Sequence, residues 1–226
     1  MLTLALDTAF EGVGVALNRD GAACVQLFNP KPHQGASQLL PMIQEVLNKA
    51  NATQKDLQRI VVVRGPGSFT GIRLGLATAQ SLSLGLQLPW QSVTSFELFA
   101  YSWLKTIPSA ALPEQIWIVV DTKGFEMGMV VFSPREKRFL DPFYGSPESL
   151  ARICCEKPGD IMIGMGLKRL VPYLNDAVSL THIQPDVLAG HLAAYPMDPP
   201  FKGELTQSLQ PLYGETIFKP LAPKPL

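Results

Sequence analysis

The residues with the clearest chemical potential lie in a glycine-rich turn and in the helix predicted after it. The turn follows an apolar run that ends at Val63 and is typical of a buried strand. Gly67, Ser68, Thr70 and Arg73 could bind an anion or a nucleotide. Glycine lets the backbone approach a ligand, a helix N-terminus favours negative charge, and arginine can donate two hydrogen bonds to one anion.

The same turn departs from the known phosphate-binding patterns. Ile72 stands where a Walker A loop has its lysine, and Thr70 stands where the dinucleotide fingerprint needs a third glycine. A close-packed turn between strand and helix that binds nothing is therefore the alternative. The sequence leaves both interpretations open.

Small residues recur every four positions along the predicted helix. Gly71, Gly75, Ala79 and Ser83 form one stripe, with Ile72 beside it. A stripe without large side chains lets a second helix approach closely. We interpret it as a docking surface for another subunit, and packing against a helix of the same chain is the alternative.

The chain contains the same hairpin twice. LTLALDTAFEGVGVAL near the start and IWIVVDTKGFEMGMVVF in the second half share an apolar strand, Asp-Thr, a tight turn, Phe-Glu and a second strand. Asp7 and Asp121 are the matching aspartates. A proline-bearing break at 107–113 separates the two copies, so we predict lobes at 1–106 and 107–226, the second ending in a proline-rich tail.

Composition excludes several classes of protein. With 19 basic and 19 acidic residues the formal net charge is zero, so the chain lacks the positive excess of a protein that grips nucleic acid by itself. Three cysteines indicate reduced thiols, the N-terminus lacks a signal peptide, and no apolar run matches a bilayer span. We expect a cytoplasmic protein without membrane contact.

The duplicated unit, with an aspartate at the first strand end of each copy, resembles the actin-like ATPase superfamily. That resemblance implies an α/β fold of duplicated actin-like (RNase H-like) lobes, with mixed sheets flanked by helices. GPGSFTGIRLGLATAQSL is similar to the signature of the TsaB (YeaZ) family, supported by LALDTA, HQGASQLLPMI and SVTSFELFA. The resemblance covers residues 1 to about 105 and is weaker beyond.

The family resemblance implies a role in tRNA modification. TsaB proteins are non-catalytic partners of TsaD, which forms N6-threonylcarbamoyladenosine at position 37 of tRNA, and TsaE is a further member of the complex. Contact with tRNA is expected to be indirect. The first two helices would pack against TsaD or against a second copy, which assigns the partner interface to Leu39, Leu40, Ile43, Gly71, Ile72, Gly75, Ala79 and Ser83.

Two other functions stay open at this point: a nucleotide-binding enzyme of the actin-like superfamily, and a homodimer without catalytic role. Asp7 and Asp121 would bind phosphate or metal in the enzyme, and would cap local backbone amides otherwise. The three histidines lack metal-ligand spacing, so we expect no catalytic residue, metal or cofactor. Where the family often has an arginine pair, this chain has Thr122 and Lys123.

Overall fold

The structure is a computed structural model that describes residues 1–20, 22–31, 34–154, 161–174, 179–181, 184–198 and 200–202. The predicted proline-rich tail from residue 203 onward lies outside the described residues. Within the described part, none of the helices combines the length and the apolar character that crossing a membrane requires.

The first half of the chain forms a mixed five-stranded sheet, as the sequence predicts. Its strands are Leu2–Asp7 (β1), Val13–Arg19 (β2), Ala22–Asn29 (β3), Arg59–Val63 (β4) and Trp90–Val93 (β5). The spatial order is β3-β2-β1-β4-β5. β1, β2 and β3 pair antiparallel through hairpins, whereas β4 lies parallel to both β1 and β5. Because β1 and β4 run in the same direction, their carboxyl ends meet at one edge of the sheet.

Helices cover both faces of this sheet. They are Gly35–Lys49 (α1), Phe69–Leu86 (α2), Ser95–Leu104 (α3) and, from the far end of the chain, Pro185–Ala193 (α6). Gly35 in α1 lies beside Val13, whereas the next strand residue, Gly14, faces Ala189 of α6. Adjacent strand residues point to opposite faces. The α1–α2 layer and α6 therefore lie on opposite sides of the sheet, with α3 packed beside α6.

The second half forms the second mixed sheet. Its strands are Ile116–Asp121 (β6), Met127–Ser133 (β7), Arg138–Phe139 (β8), Phe143–Gly145 (β9), Ile161–Ile163 (β10) and Ser179–Thr181 (β11), and its helices are Pro147–Ile153 (α4) and Leu167–Leu170 (α5). The order is β11-β10-β6-β7-β8, with β9 also pairing β7. β8 and β9 are separated by a break at Pro142, which has no amide to donate to a neighbouring strand. The sequence did not predict β11.

The two halves share one core across α3. Ile118 and Val120 of β6 belong to the same buried cluster as Phe96 of α3, whereas Trp117 and Val119 face the separate cluster under α4 and α5. The second sheet therefore buries one face against its own helices and the other against the first half. The lobe boundary between residues 106 and 107 stays a prediction. The helix α6, from the second half of the chain, packs on the sheet of the first half.

Candidate functional site

The small-residue stripe of α2 faces the inside of its own lobe. A Cβ atom at Gly71 would lie 1.8 Å from the carbonyl oxygen of Thr8, and one at Gly75 would lie 2.4 Å from the Thr8 hydroxyl. The Thr8 hydroxyl donates to the Gly71 carbonyl oxygen at 2.7 Å. Ile72 and Ala79 are fully buried. The small-residue stripe thus packs against the turn after β1. This corrects the expectation that the stripe faces a partner.

The other residues assigned to the interface divide between the core and the surface. Leu39 and Ile43 lie on the buried side of α1 and belong to the core. The Ser83 hydroxyl donates to the Leu88 carbonyl oxygen at 2.5 Å, so it closes the end of α2. Leu40 is 60% exposed and can meet a partner. The apolar spacing identified the helices correctly but did not show which of their residues face outward.

The surface of the α1–α2 layer consists of different residues from the stripe. Leu84 is 83% exposed, the largest exposed fraction among the described large apolar side chains. We define the outer α1–α2 face as the exposed residues Leu40, Pro41, Ala77, Gln80 and Leu84. This set carries no charge, and Arg73 is the one charged residue in the whole of α2. The assignment of these helices to a partner interface stays a prediction, now centred on this face.

Replacing glycines of α2 by alanine separates packing from docking. We expect Gly71→Ala and Gly75→Ala each to lower the free energy of unfolding by about 1–3 kcal/mol, because the new methyl group overlaps Thr8. Gly85→Ala is the matched control in the same helix. No atom lies within 4 Å of the added Cβ, so this variant gains about 0.5–1 kcal/mol of helix propensity. Urea denaturation measures all three, and equal effects would contradict the packing role of the stripe.

The glycine-rich turn before α2 packs against the same β1–β2 turn. A Cβ atom at Gly67 would lie 2.4 Å from the Ala9 carbonyl oxygen, and the Ser68 amide donates to that oxygen at 2.7 Å. The Ser68 hydroxyl caps α2 by accepting from the Gly71 amide at 3.3 Å. These contacts explain the glycine and the serine by packing and capping. Anion binding at this turn stays a prediction.

The two other residues of the predicted anion site lie on the surface. Thr70 is exposed in the first turn of α2, and Arg73 is exposed one turn further along. The guanidinium group of Arg73 stacks over the Phe69 ring at 3.7 Å from its centroid. The two side chains therefore extend from the end of the helix, whereas Gly67 and Ser68 point back into the lobe.

The two repeated aspartates occupy different environments. Asp7 is buried, and its carboxylate accepts the Ala9 amide at 3.1 Å. Burial raises the pKa of Asp7 to about 7, so the neutral form is well populated at physiological pH. Asp121 instead pairs with Arg169 at 2.6 Å and with Lys123 at 3.5 Å. Each also caps its own turn, since Asp121 accepts the Lys123 amide at 2.8 Å.

Lys123 joins the two copies of the hairpin. Its Nζ lies 2.7 Å from Oε1 of Glu11 in the β1–β2 turn. The hydrogen bond from Lys123 and its positive charge lower the pKa of Glu11. Arg169 completes the chain of alternating charges by donating to Asp121 and to the carbonyl oxygens of Gly124 and Phe125, at 2.9 and 3.1 Å. The repeated Phe-Glu pair was the sequence signal for Glu11, but nothing in the sequence indicated Arg169.

These charges border a cavity of about 550 Å³ between the lobes. Phe10, Met165 and Leu167 supply apolar walls, and Lys168 is an exposed cation at its edge. The volume suits a small molecule. Among the described residues, no three His, Cys, Asp or Glu side chains are grouped as they would be to hold a metal ion. The cavity can therefore offer a ligand apolar contact and charges of both signs, since Glu11 and Asp121 line it together with the three cations.

The raised pKa of Asp7 makes a testable prediction about stability. The folded state holds the Asp7 proton more tightly than the unfolded state, so this stability is present below pH 4 and is lost as the pH rises to about 7. Asp7→Asn removes the titration and keeps an oxygen for the Ala9 amide. Relative to wild type, we expect the variant to gain roughly 2–3 kcal/mol between pH 5 and pH 8. Urea denaturation at both pH values checks this, and a constant difference would contradict it.

Comparison with known proteins identifies sequence relatives that match a little under half of the chain. The family model for TsaD, described as tRNA N6-adenosine threonylcarbamoyltransferase, matches residues 32–130. The tRNA threonylcarbamoyladenosine biosynthesis protein TsaB of Escherichia coli (strain K12) is 39% identical over 106 residues, 46% of each chain. TsaB of Bacillus subtilis (strain 168) is 33% identical over 100 residues, 44% of each chain. The chain thus spans about half the length of the sequence relatives it matches.

A solved structure extends the likeness to most of the chain. YeaZ from Pseudomonas aeruginosa superposes with a TM-score of 0.69 at 25% identity, covering 86% of this chain and 91% of that one. The expected fold of two mixed sheets flanked by helices, in the actin-like arrangement, is confirmed. The resemblance to TsaB (YeaZ) derived from the motifs is confirmed as well.

Proposed function

Because the chain is a relative of the TsaB (YeaZ) proteins, we propose that it serves the synthesis of N6-threonylcarbamoyladenosine at position 37 of tRNA. In this proposal it is a non-catalytic cytoplasmic subunit that pairs with the enzyme TsaD, with TsaE as a further member of the complex. Its zero net charge favours indirect contact with tRNA, held by the other subunits.

The match of the TsaD family model to residues 32–130 carries this proposal. That region contains the whole of α1 and α2. Two chains that share a pair of helices can associate about a pseudo-two-fold axis, each presenting the equivalent surface to the other. The match therefore supports an assembly in which α1 and α2 of this chain pack on their counterparts in TsaD.

The outer α1–α2 face has the composition of an interface core. Leu40 and Leu84 expose large apolar side chains, and Pro41, Ala77 and Gln80 of the same set carry no charge. The centres of protein interfaces are depleted in charged residues. The exposed leucines, rather than the glycine stripe, are thus the expected contacts.

The state of the two aspartates supports a non-catalytic role. Asp121 already has Arg169 and Lys123 as counter-ions, and Asp7 is buried with a pKa near 7. A carboxyl group that is paired, or that is neutral half of the time, is a poor ligand for a divalent cation. The hydrogen bonds by which Asp7 and Asp121 stabilise their own turns account for both residues without a catalytic role.

Leu84→Glu is the test of the docking face. A charge placed in an apolar interface is expected to weaken binding to TsaD from the same host by at least about tenfold, and Leu40→Glu is expected to weaken it in the same direction. Leu140→Glu is the matched control, because Leu140 is 52% exposed but lies in the second lobe. Titration calorimetry gives the Kd, and thermal denaturation confirms folding. Wild-type affinity of folded Leu84→Glu would contradict the proposal.

The cavity between the lobes favours a second candidate, a nucleotide-binding enzyme. Its volume of about 550 Å³ and its exposed Lys168 suit a phosphate-bearing ligand. Calorimetry of the chain with ATP and Mg²⁺ tests this, with Lys168→Met as the variant that should lose affinity. Tight binding followed by turnover would favour the enzyme over the scaffold.

The homodimer is tested by sedimentation of the chain with and without TsaD. A homodimer without catalytic role predicts self-association that TsaD does not displace.

A further inference from the structure

The β1–β2 turn, residues 8–12, contacts both α2 and the charges between the lobes. On one side, the Thr8 hydroxyl donates to the Gly71 carbonyl oxygen, and the Ala9 carbonyl oxygen accepts the Ser68 amide. The missing Cβ atoms of Gly67 and Gly71 allow this contact. Movement of the first turn of α2 must therefore move the β1–β2 turn as well.

On its other side, the turn carries Glu11 to the second lobe. Glu11 meets Lys123 at 2.7 Å, and Lys123 in turn lies 3.5 Å from Asp121. Arg169 fixes the far end by binding Asp121 together with two backbone carbonyl oxygens of the β6–β7 turn. The chain of contacts thus runs from α2 to α5 without a gap.

The strength of the Glu11–Lys123 pair suits a switch. Their side chains are 66% and 39% exposed, and exposed ion pairs contribute little to stability. Such a contact forms and breaks at ordinary temperature, so a modest restraint on either end can shift its population. Asp121 is only 13% exposed and pairs with both Lys123 and Arg169, so the Glu11–Lys123 contact continues into the contacts of the β6–β7 turn.

We propose that the β1–β2 turn couples the outer α1–α2 face to the interlobe contact, so that docking on α2 and closure of the Glu11–Lys123 pair favour each other. A partner on the outer α1–α2 face restrains α2 as a single helix, its first turn included, and the bonds from Thr8 and Ala9 transmit that order to Glu11. The coupling is reciprocal, so breaking the pair must weaken docking. This inference rests on the proposed docking of TsaD at that face.

Hydrogen exchange of the full chain, alone and with TsaD, tests the coupling. We expect TsaD to slow exchange in α2 and also at residues 121–126 of the second lobe. In Lys123→Met the slowing in α2 persists, the slowing at 121–126 is lost, and the affinity for TsaD falls two- to fivefold. Arg152→Met is the matched control, because it breaks an exposed pair with Glu148 inside α4 and should change neither measurement.

The outcomes separate this inference from the function on which it rests. Protection in α2 without protection at 121–126, or remote protection that survives in Lys123→Met, would overturn the coupling and leave the docking face intact. Absence of protection in α2 would overturn the docking proposal itself, and the coupling with it. Equal affinity of Lys123→Met and Arg152→Met would also overturn the coupling.

Discussion

The close approach of α2 to the turn after β1 is the constraint on which the rest of the structure depends. β1 and β4 are parallel neighbours, so the turn after β1 and the start of α2 must occupy the same edge of the sheet. Both fit only because Gly67, Gly71 and Gly75 present backbone to Thr8 and Ala9. The position of α2 over the end of β1 follows from this contact.

The duplicated hairpin shows how one local sequence acquires two roles. Each copy ends its first strand with Asp-Thr, and each threonine hydroxyl donates to a backbone carbonyl oxygen, that of Gly71 for Thr8 and that of Glu126 for Thr122. In the first copy the aspartate is buried on the face of the sheet that α6 covers, since its strand partner Gly14 faces Ala189. In the second copy α5 is short, so Arg169 reaches the aspartate instead. Neighbouring elements, rather than the hairpin, decide the electrostatics of the two carboxyl groups.

Local features were predictable from the sequence because their signals lie within a few residues. Ser68 caps α2, and Thr94 with Glu97 forms a capping box at α3, each within one turn of the helix start. The direction of the glycine stripe was not predictable in this way. Periodicity defines a face of a helix, but only the sheet order shows whether that face lies against β1 and β4 or in solvent. Arg169, 48 residues away from Asp121, lies equally beyond local patterns.

The return of α6 to the first sheet determines the order in which the protein can mature on the ribosome. β1, β2 and β3 are synthesised first, yet the helix that covers their second face ends at Ala193. An apolar sheet surface that includes Ala5 and Ala16 thus remains uncovered during translation until nearly the whole chain has emerged. Nascent chains stalled before that point would be natural clients for chaperones that shield exposed β-structure.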